Sequence, residues 1–188
     1  MKRPLRSQAT RDRILDAATR LFADVGYDRT TIRAVAAEAR IHPSMVMRYY
    51  GSKEGLFAAV ATFDLEIPDL TQAPKGEAGR TLVRHFLRRW KAHAEELPAL
   101  LRVAVTHDQA RAQLLALFRD QVAPAVAKVC GAERAGVCAG LVVTQMIGLA
   151  MTRQVLRVPV VVDLPEELLI DRVGATIENY IAGPDTAG

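Results

Sequence analysis

The stretch from Thr31 to Lys53, TIRAVAAEARIHPSMVMRYYGSK, constrains this chain more than any other. It spells a helix, a tight turn and a second helix. Thr31 is a fitting N-cap for a helix reaching about Ala39, and Ile32, Val35, Ala36 and Ala39 recur at helical spacing, so they share a buried face. Ala36 is small where a second helix has to cross closely, and Ile41 sits in the turn to plug the gap. Pro43 suits the first turn of the second helix, where its missing N–H costs nothing. Val46 and Tyr50 continue the buried face, which leaves Ser44, Met45, Met47 and Arg48 outward. A helix held against a supporting helix, with short polar and basic groups facing out, is what a DNA major groove accepts. The plainer alternative is an ordinary helical hairpin in an all-α core.

Charge placement weighs against that alternative. Residues 1–53 carry 11 Lys/Arg against 5 Asp/Glu, a net of +6, while the whole chain is only +4. A basic end joined to a near-neutral remainder suits a polyanion partner at one end only. Residues 1–9, MKRPLRSQA, read as a mobile basic arm, either a solvated tail or a source of extra phosphate contacts. A first helix is expected over about 10–25, with Ile14, Ala18, Leu21, Phe22 and Val25 buried and Gly26 ending it. After Gly51, Ser52 caps a fourth helix that buries Leu56, Phe57 and Val60. Lys53 falls in its first turn, where backbone N–H groups already favour an anion, and reads as a phosphate clamp.

Residues 10 to about 60 resemble the DNA-binding domain of the TetR family of transcriptional regulators. The runs ILDAATRLFADVGYDRTTIRAVAAEA and YYGSKEGLF carry the resemblance: an aromatic and glycine closing helix 1, Thr-Thr opening helix 2, and Ser-Lys-Glu opening helix 4. The resemblance implies an all-helical homodimer whose members commonly repress transcription until a small molecule binds the C-terminal domain. Three positions depart from the family's pattern. Arg40 stands where glycine is usual in the corner, Met47 where a phosphate-contacting tyrosine is usual, and His42 where serine usually caps helix 3.

The fold expected is therefore all-α, with an N-terminal three-helix helix-turn-helix DNA-binding domain and a C-terminal helical ligand-binding and dimerisation domain. The first spans residues 1–53 with a linking helix over about 52–66, and the second spans 67–188. Beyond the Ile67-Pro68 and TQAPKGE connector, helices are expected at about 77–96, 98–106, 108–129, 133–157 and from about 163 to 181. Pro124 should kink or interrupt the third of these. Arg80, Arg84, Arg88 and Lys91 read as a solvated face rather than as a second nucleic-acid patch.

DNA contacts are expected from Arg33 and Ser44 at base edges, with Met45 and Arg48 beside them, and from Thr31, Tyr49, Lys53 and His42 at phosphates. Thr31 as a plain cap and Tyr49 as a packing residue remain open alternatives. An apolar effector site is expected from Phe86, Trp90, Leu101, Val105 and Phe118, with His93, His107, Arg102 and Thr144 as polar contacts. The same apolar side chains filling a core is the competing reading. Dimerisation is assigned to the helix at about 133–157, through Gly140, Thr144, Ile147 and Met151, and to the last helix, through Leu169, Val173 and Ile177.

Other chemistry finds little support. No phosphate-binding loop, dinucleotide glycine fingerprint or nucleophile–base pair is readable, so no enzyme and no cofactor is expected. Cys130 and Cys138 are no disulfide framework and read as buried thiols, and the four histidines show no metal-ligand spacing. The apolar run Ala135–Met151 is 17 residues long and contains Thr144 and Gln145, so a fully buried helix is expected rather than a membrane span. No apolar stretch follows the basic N-terminus, and a cytoplasmic protein is expected. The partners expected are a palindromic double-stranded operator, a small hydrophobic effector and a second copy of the chain. A dimeric ligand binder with degenerate DNA binding, and a DNA binder without a ligand, are the alternatives.

Overall fold

The computed structural model describes residues 6–60, 63–94 and 96–183, and among them every regular element is helical. Packing divides the chain into two compact units. One takes residues 1–62 together with 95–114, and the other takes 63–94 and 115–188.

In the first unit, α1 (Arg6–Arg29) buries Ile14, Ala17, Ala18 and Phe22, while Leu21 and Val25 are half-buried. Its first turn contains Arg6–Ala9, so part of the expected mobile arm is helix; residues 1–5 of that arm lie outside the described residues. Gly26, at φ 81°, breaks the helix where expected. The Thr30 hydroxyl is buried and donates to the Gly26 carbonyl at 2.8 Å, which fixes the turn into the next element. There α2 (Ile32–Glu38) and α3 (Pro43–Tyr50) form the expected pair, with Val35, Ala36 and Val46 at their crossing. The corner between them closes with two hydrogen bonds, Arg40 N to Ala37 O at 3.1 Å and Ile41 N to Ala36 O at 2.9 Å, a Schellman arrangement. Arg40 occupies its left-handed position at φ 54°.

A fourth helix, α4 (Lys53–Val60), starts on Ser52, whose Oγ accepts from Gly55 N at 3.0 Å. Phe57 sits edge-on to Phe22 and Tyr27, with ring centroids 5.1 and 4.9 Å away, and this aromatic cluster ties α4 to α1. Helix α6 (Glu96–Ala104) also packs here, against α1 and α4, burying Leu97, Leu100, Leu101 and Val103.

The linking helix falls short of the expected bound at about 66: residues 63–66 are not helical. Side chains of the second unit take up the backbone groups that a helix would have paired. Gln121 accepts from Leu65 N and donates to Phe63 O, each at 2.7 Å. His85 bonds the Leu65 carbonyl through Nε2 at 2.6 Å, and Arg89 donates to the Asp64 carbonyl at 2.5 Å. Arg88 donates to His85 Nδ1, which leaves the proton of the neutral ring on Nε2.

The second unit is built on α5 (Ala78–Ala92) lying along α11 (Glu166–Ala182). Gly79 and Gly174 let the two backbones touch: a Cβ at Gly174 would meet Arg80 Cα at 2.8 Å, and Glu178 accepts from Gly79 N at 2.7 Å. Helices α8 (Ala123–Cys130) and α9 (Ala135–Ala150) complete a core of Leu82, Val83, Leu87, Val126, Val142, Met146 and Ile177. The helix expected over 108–129, with a kink or interruption at Pro124, is α7 (Asp108–Leu117), a wide π turn at Phe118–Val122, and α8. Pro124 has no N–H to return to residue 120, and the wide turn just before it accommodates the missing bond. A second wide turn, Met151–Val155, follows α9, and a short α10 (Pro159–Val162) precedes α11.

Candidate nucleic-acid interface

The outer face of α3 carries the groups a groove would meet. Ser44 and Arg48 are exposed, Met45 is half-buried, and Met47 is 44% exposed. His42 caps the helix with Nδ1, which accepts from Ser44 N at 3.3 Å and lies 2.8 Å from Ser44 Oγ. With Nδ1 accepting, the Ser44 hydroxyl donates to it and keeps its own lone pairs for a further donor. The Nε2–H of His42 then remains as the outward donor.

Thr31 caps α2, its Oγ1 accepting from Ala34 N at 3.1 Å, and its hydroxyl proton is left for an acceptor. Arg33 is exposed on the same helix. Tyr49 is half-buried with its ring 6.4 Å from that of Tyr50. Lys53 does not extend freely from α4. Its Nζ donates to the Asp28 carbonyl at 3.0 Å and lies 4.4 Å from the Tyr27 ring centroid. Tyr27 in turn donates to Glu54 at 3.2 Å; burial first, then the Glu54 charge, pushes its pKa up to about 12. One residue that periodicity did not single out, Arg11 of α1, stands with its guanidinium carbon 5.1 Å from the Tyr49 ring centroid.

The residues assigned to an effector divide between the units. Leu101 (buried), Arg102 and Val105 (exposed) and His107 (half-buried) belong to the first, where His107 Nε2 lies 3.4 Å from Ser52 Oγ. Val105 is 69% exposed, so in the isolated chain it lines no interior. Phe86, Trp90, His93, Phe118 and Thr144 belong to the second unit. Phe86 and Trp90 meet with centroids 5.3 Å apart, and His93 sits edge-on to Phe63 at 6.0 Å. Thr144 is exposed and returns its hydroxyl to the Gly140 carbonyl at 2.9 Å. A groove of about 630 Å³ lies elsewhere in that unit, between the start of α9 and the end of α11, lined by Arg134, Val137, Cys138, Leu141 and Tyr180 among others.

The residues assigned to dimerisation divide by face. Leu169 and Ile177 are 5% and 0% exposed and serve the core of their own chain, because α11 turns that stripe toward α5. Leu168, next to that stripe, is 40% exposed. Gly140, Ile147, Met151 and Val173 are half-buried. Helix α9 is not fully buried: Ala135–Val155 has the length and hydropathy of a membrane span, and only 33% of an apolar 18-residue stretch within it is inside. Gly136, Gly140, Thr144 and Gly148 line its outer side, with Val137 and Leu141 beside them, and a Cβ at any of these glycines meets nothing.

A three-helix unit whose third helix is capped, supported from behind and polar outward defines a helix-turn-helix DNA-binding protein. Residues 14–60 match the pattern of bacterial regulatory proteins of the tetR family, and residues 76–181 match the tetracyclin repressor-like C-terminal domain. The chain belongs to the TetR family: it is a DNA-binding transcriptional regulator and not an enzyme. It is 26% identical over 193 residues to an uncharacterized HTH-type regulator of Xanthobacter autotrophicus, covering 94% of this chain and 91% of that one. An HTH-type transcriptional repressor of Mycobacterium tuberculosis is 37% identical over 76 residues, 40% of this chain and 39% of its own length. The match to an HTH-type regulator of Aromatoleum spans 28% of that relative's length. A crystal structure of a TetR-family regulator from Streptomyces coelicolor aligns over 97% of this chain and 100% of its own, with 27% identity and a TM-score of 0.53.

Proposed function

We propose that the chain is a homodimeric repressor that binds an inverted-repeat operator through α3 and yields it when a small apolar molecule occupies its C-terminal unit. It would work in the cytoplasm. The observation that carries this reading is the α3 face: Val46 is fully buried against the supporting helix, while Ser44 and Arg48 stand outward. Dimerisation rests on the glycine-lined outer side of α9, an apolar surface that a monomer would leave in water and that small residues open to close helix approach. The effector rests on the match of residues 76–181 to the family's C-terminal domain and on the Phe86–Trp90 pair.

Arg40 and Met47, which depart from the family's pattern, motivate the alternative of degenerate DNA binding. Arg40 sits in its corner with both corner hydrogen bonds made, which argues against that reading. The test is selection of bound sequences from random duplex DNA by the full chain, with sedimentation at the same concentration. An inverted repeat with half-sites roughly 34–36 Å apart, bound by a dimer, is expected. A monomer, or enrichment of no repeat at physiological salt, refutes the proposal.

A further inference from the structure

Three cations of the DNA-binding unit are held by its own acceptors. Arg20 pairs with Glu38 at 3.1 Å, Arg29 donates to the Val25 carbonyl at 2.8 Å, and Lys53 donates to the Asp28 carbonyl. Arg11 is placed differently. Its guanidinium carbon lies 5.1 Å from the centroid of the Tyr49 ring, which stands in the last turn of α3. Among the described residues no carboxylate lies within ion-pair distance of it, and the neighbouring Asp12 accepts instead from Gln8 at 2.9 Å. A guanidinium resting on an aromatic face uses its π surface and keeps its N–H edges for acceptors. The ring also restricts a side chain that otherwise loses rotamer freedom on binding.

We infer that Arg11, positioned by the Tyr49 ring, binds a phosphate of the DNA strand flanking the groove that α3 enters. The inference rests on the DNA-binding reading and deepens it. Arg11 comes from α1, beside the reading helix rather than on its outer face. The anion within reach of such a flank is backbone phosphate rather than a base edge. The guanidinium fork suits a phosphate's oxygens in a paired, charge-assisted geometry. Tyr49 is thereby a positioning residue whose ring, more than its hydroxyl, matters for this contact.

The experiment measures operator affinity of the full chain between 50 and 200 mM salt for wild type, Arg11→Gln, Tyr49→Phe, Tyr49→Leu and the double variant Arg11→Gln/Tyr49→Leu. Arg20→Gln serves as the control for simple loss of charge. One phosphate contact contributes about 0.9 to the slope of log affinity against log salt. Losing one contact in each half of a dimer therefore lowers the slope by about 1.8, and the fourfold salt change should cost Arg11→Gln roughly twelvefold less affinity than it costs wild type. The selected sequence should not change. Arg11→Gln should lower affinity as much in the Tyr49→Phe background as in wild type, and much less in Tyr49→Leu, where the platform is gone. An unchanged slope in Arg11→Gln, an equal fall in Arg20→Gln, or the same Arg11 effect in the Tyr49→Leu background overturns the inference while leaving operator binding intact. A wild-type chain that binds no DNA overturns both readings.

Discussion

Replacing Arg40 with glycine should stabilise this protein. Arg40 has φ 54° in the Schellman turn between α2 and α3, its amide bonded to Ala37 and the next amide to Ala36. A side chain in this left-handed region costs about 1–2 kcal/mol through contact of Cβ with the backbone. Glycine removes that cost but loses about 0.4–1 kcal/mol more backbone entropy on folding. The net expected gain is about 1 kcal/mol, which for a chain of this size raises the melting midpoint by roughly 2–4 °C. The Arg40 side chain is exposed and forms no hydrogen bond or ion pair with the described residues, so little is lost by deleting it. Arg40→Ala is the comparison that isolates the backbone, because it removes the same charge and keeps the Cβ. Melting followed by circular dichroism without DNA should place Arg40→Gly above both wild type and Arg40→Ala, with the latter two close together. A glycine variant no more stable than the alanine variant would refute the assignment of strain to this corner.

Two further outcomes follow from ionisation and thiol chemistry. The Glu54 pKa is held below its usual 4.5 by its own backbone N–H, the Ser52 hydroxyl and the Tyr27 hydroxyl, against the opposing effect of burial. A depressed carboxylate stabilises the fold above its unfolded pKa and loses that contribution as the pH falls through the folded value. Wild type should therefore exceed Glu54→Gln in urea stability at pH 7, with the gap closing as the pH falls below 4.5 and through the folded value; a gap that does not depend on pH excludes the charge as its source. Cys138 is 2% exposed and is pushed up to about 12, by burial first and then by Cys130, so it stays a thiol at neutral pH. Iodoacetamide should label both cysteines slowly in the native protein and rapidly in urea. Native labelling at the unfolded rate would show that the α8–α9 packing is open.

What the sequence by itself determined is what the chain does over a few consecutive residues. Thr31 and Ser52 as caps, the break at Gly26, and the crossing of Val35 and Ala36 with Val46 are events within one or two helical turns. Their residue types state them directly. Tertiary structure alone decided which neighbour each face meets. Residues 95–114 join the DNA-binding unit because Leu97 and Leu100 pack on α1 and α4, and hydrophobic periodicity names no partner. The same ambiguity placed Leu169 and Ile177 at an interface, when their stripe faces α5, and made α9 look fully buried, when its glycine side is open. Residues 63–66 left the helix because Gln121, His85 and Arg89, distant in sequence, satisfy their backbone groups instead. Lys53 was drawn onto Asp28 and Arg11 onto Tyr49 for the same reason: a long charged side chain settles on the acceptor or ring that folding brings near, and that proximity is not written in local spacing.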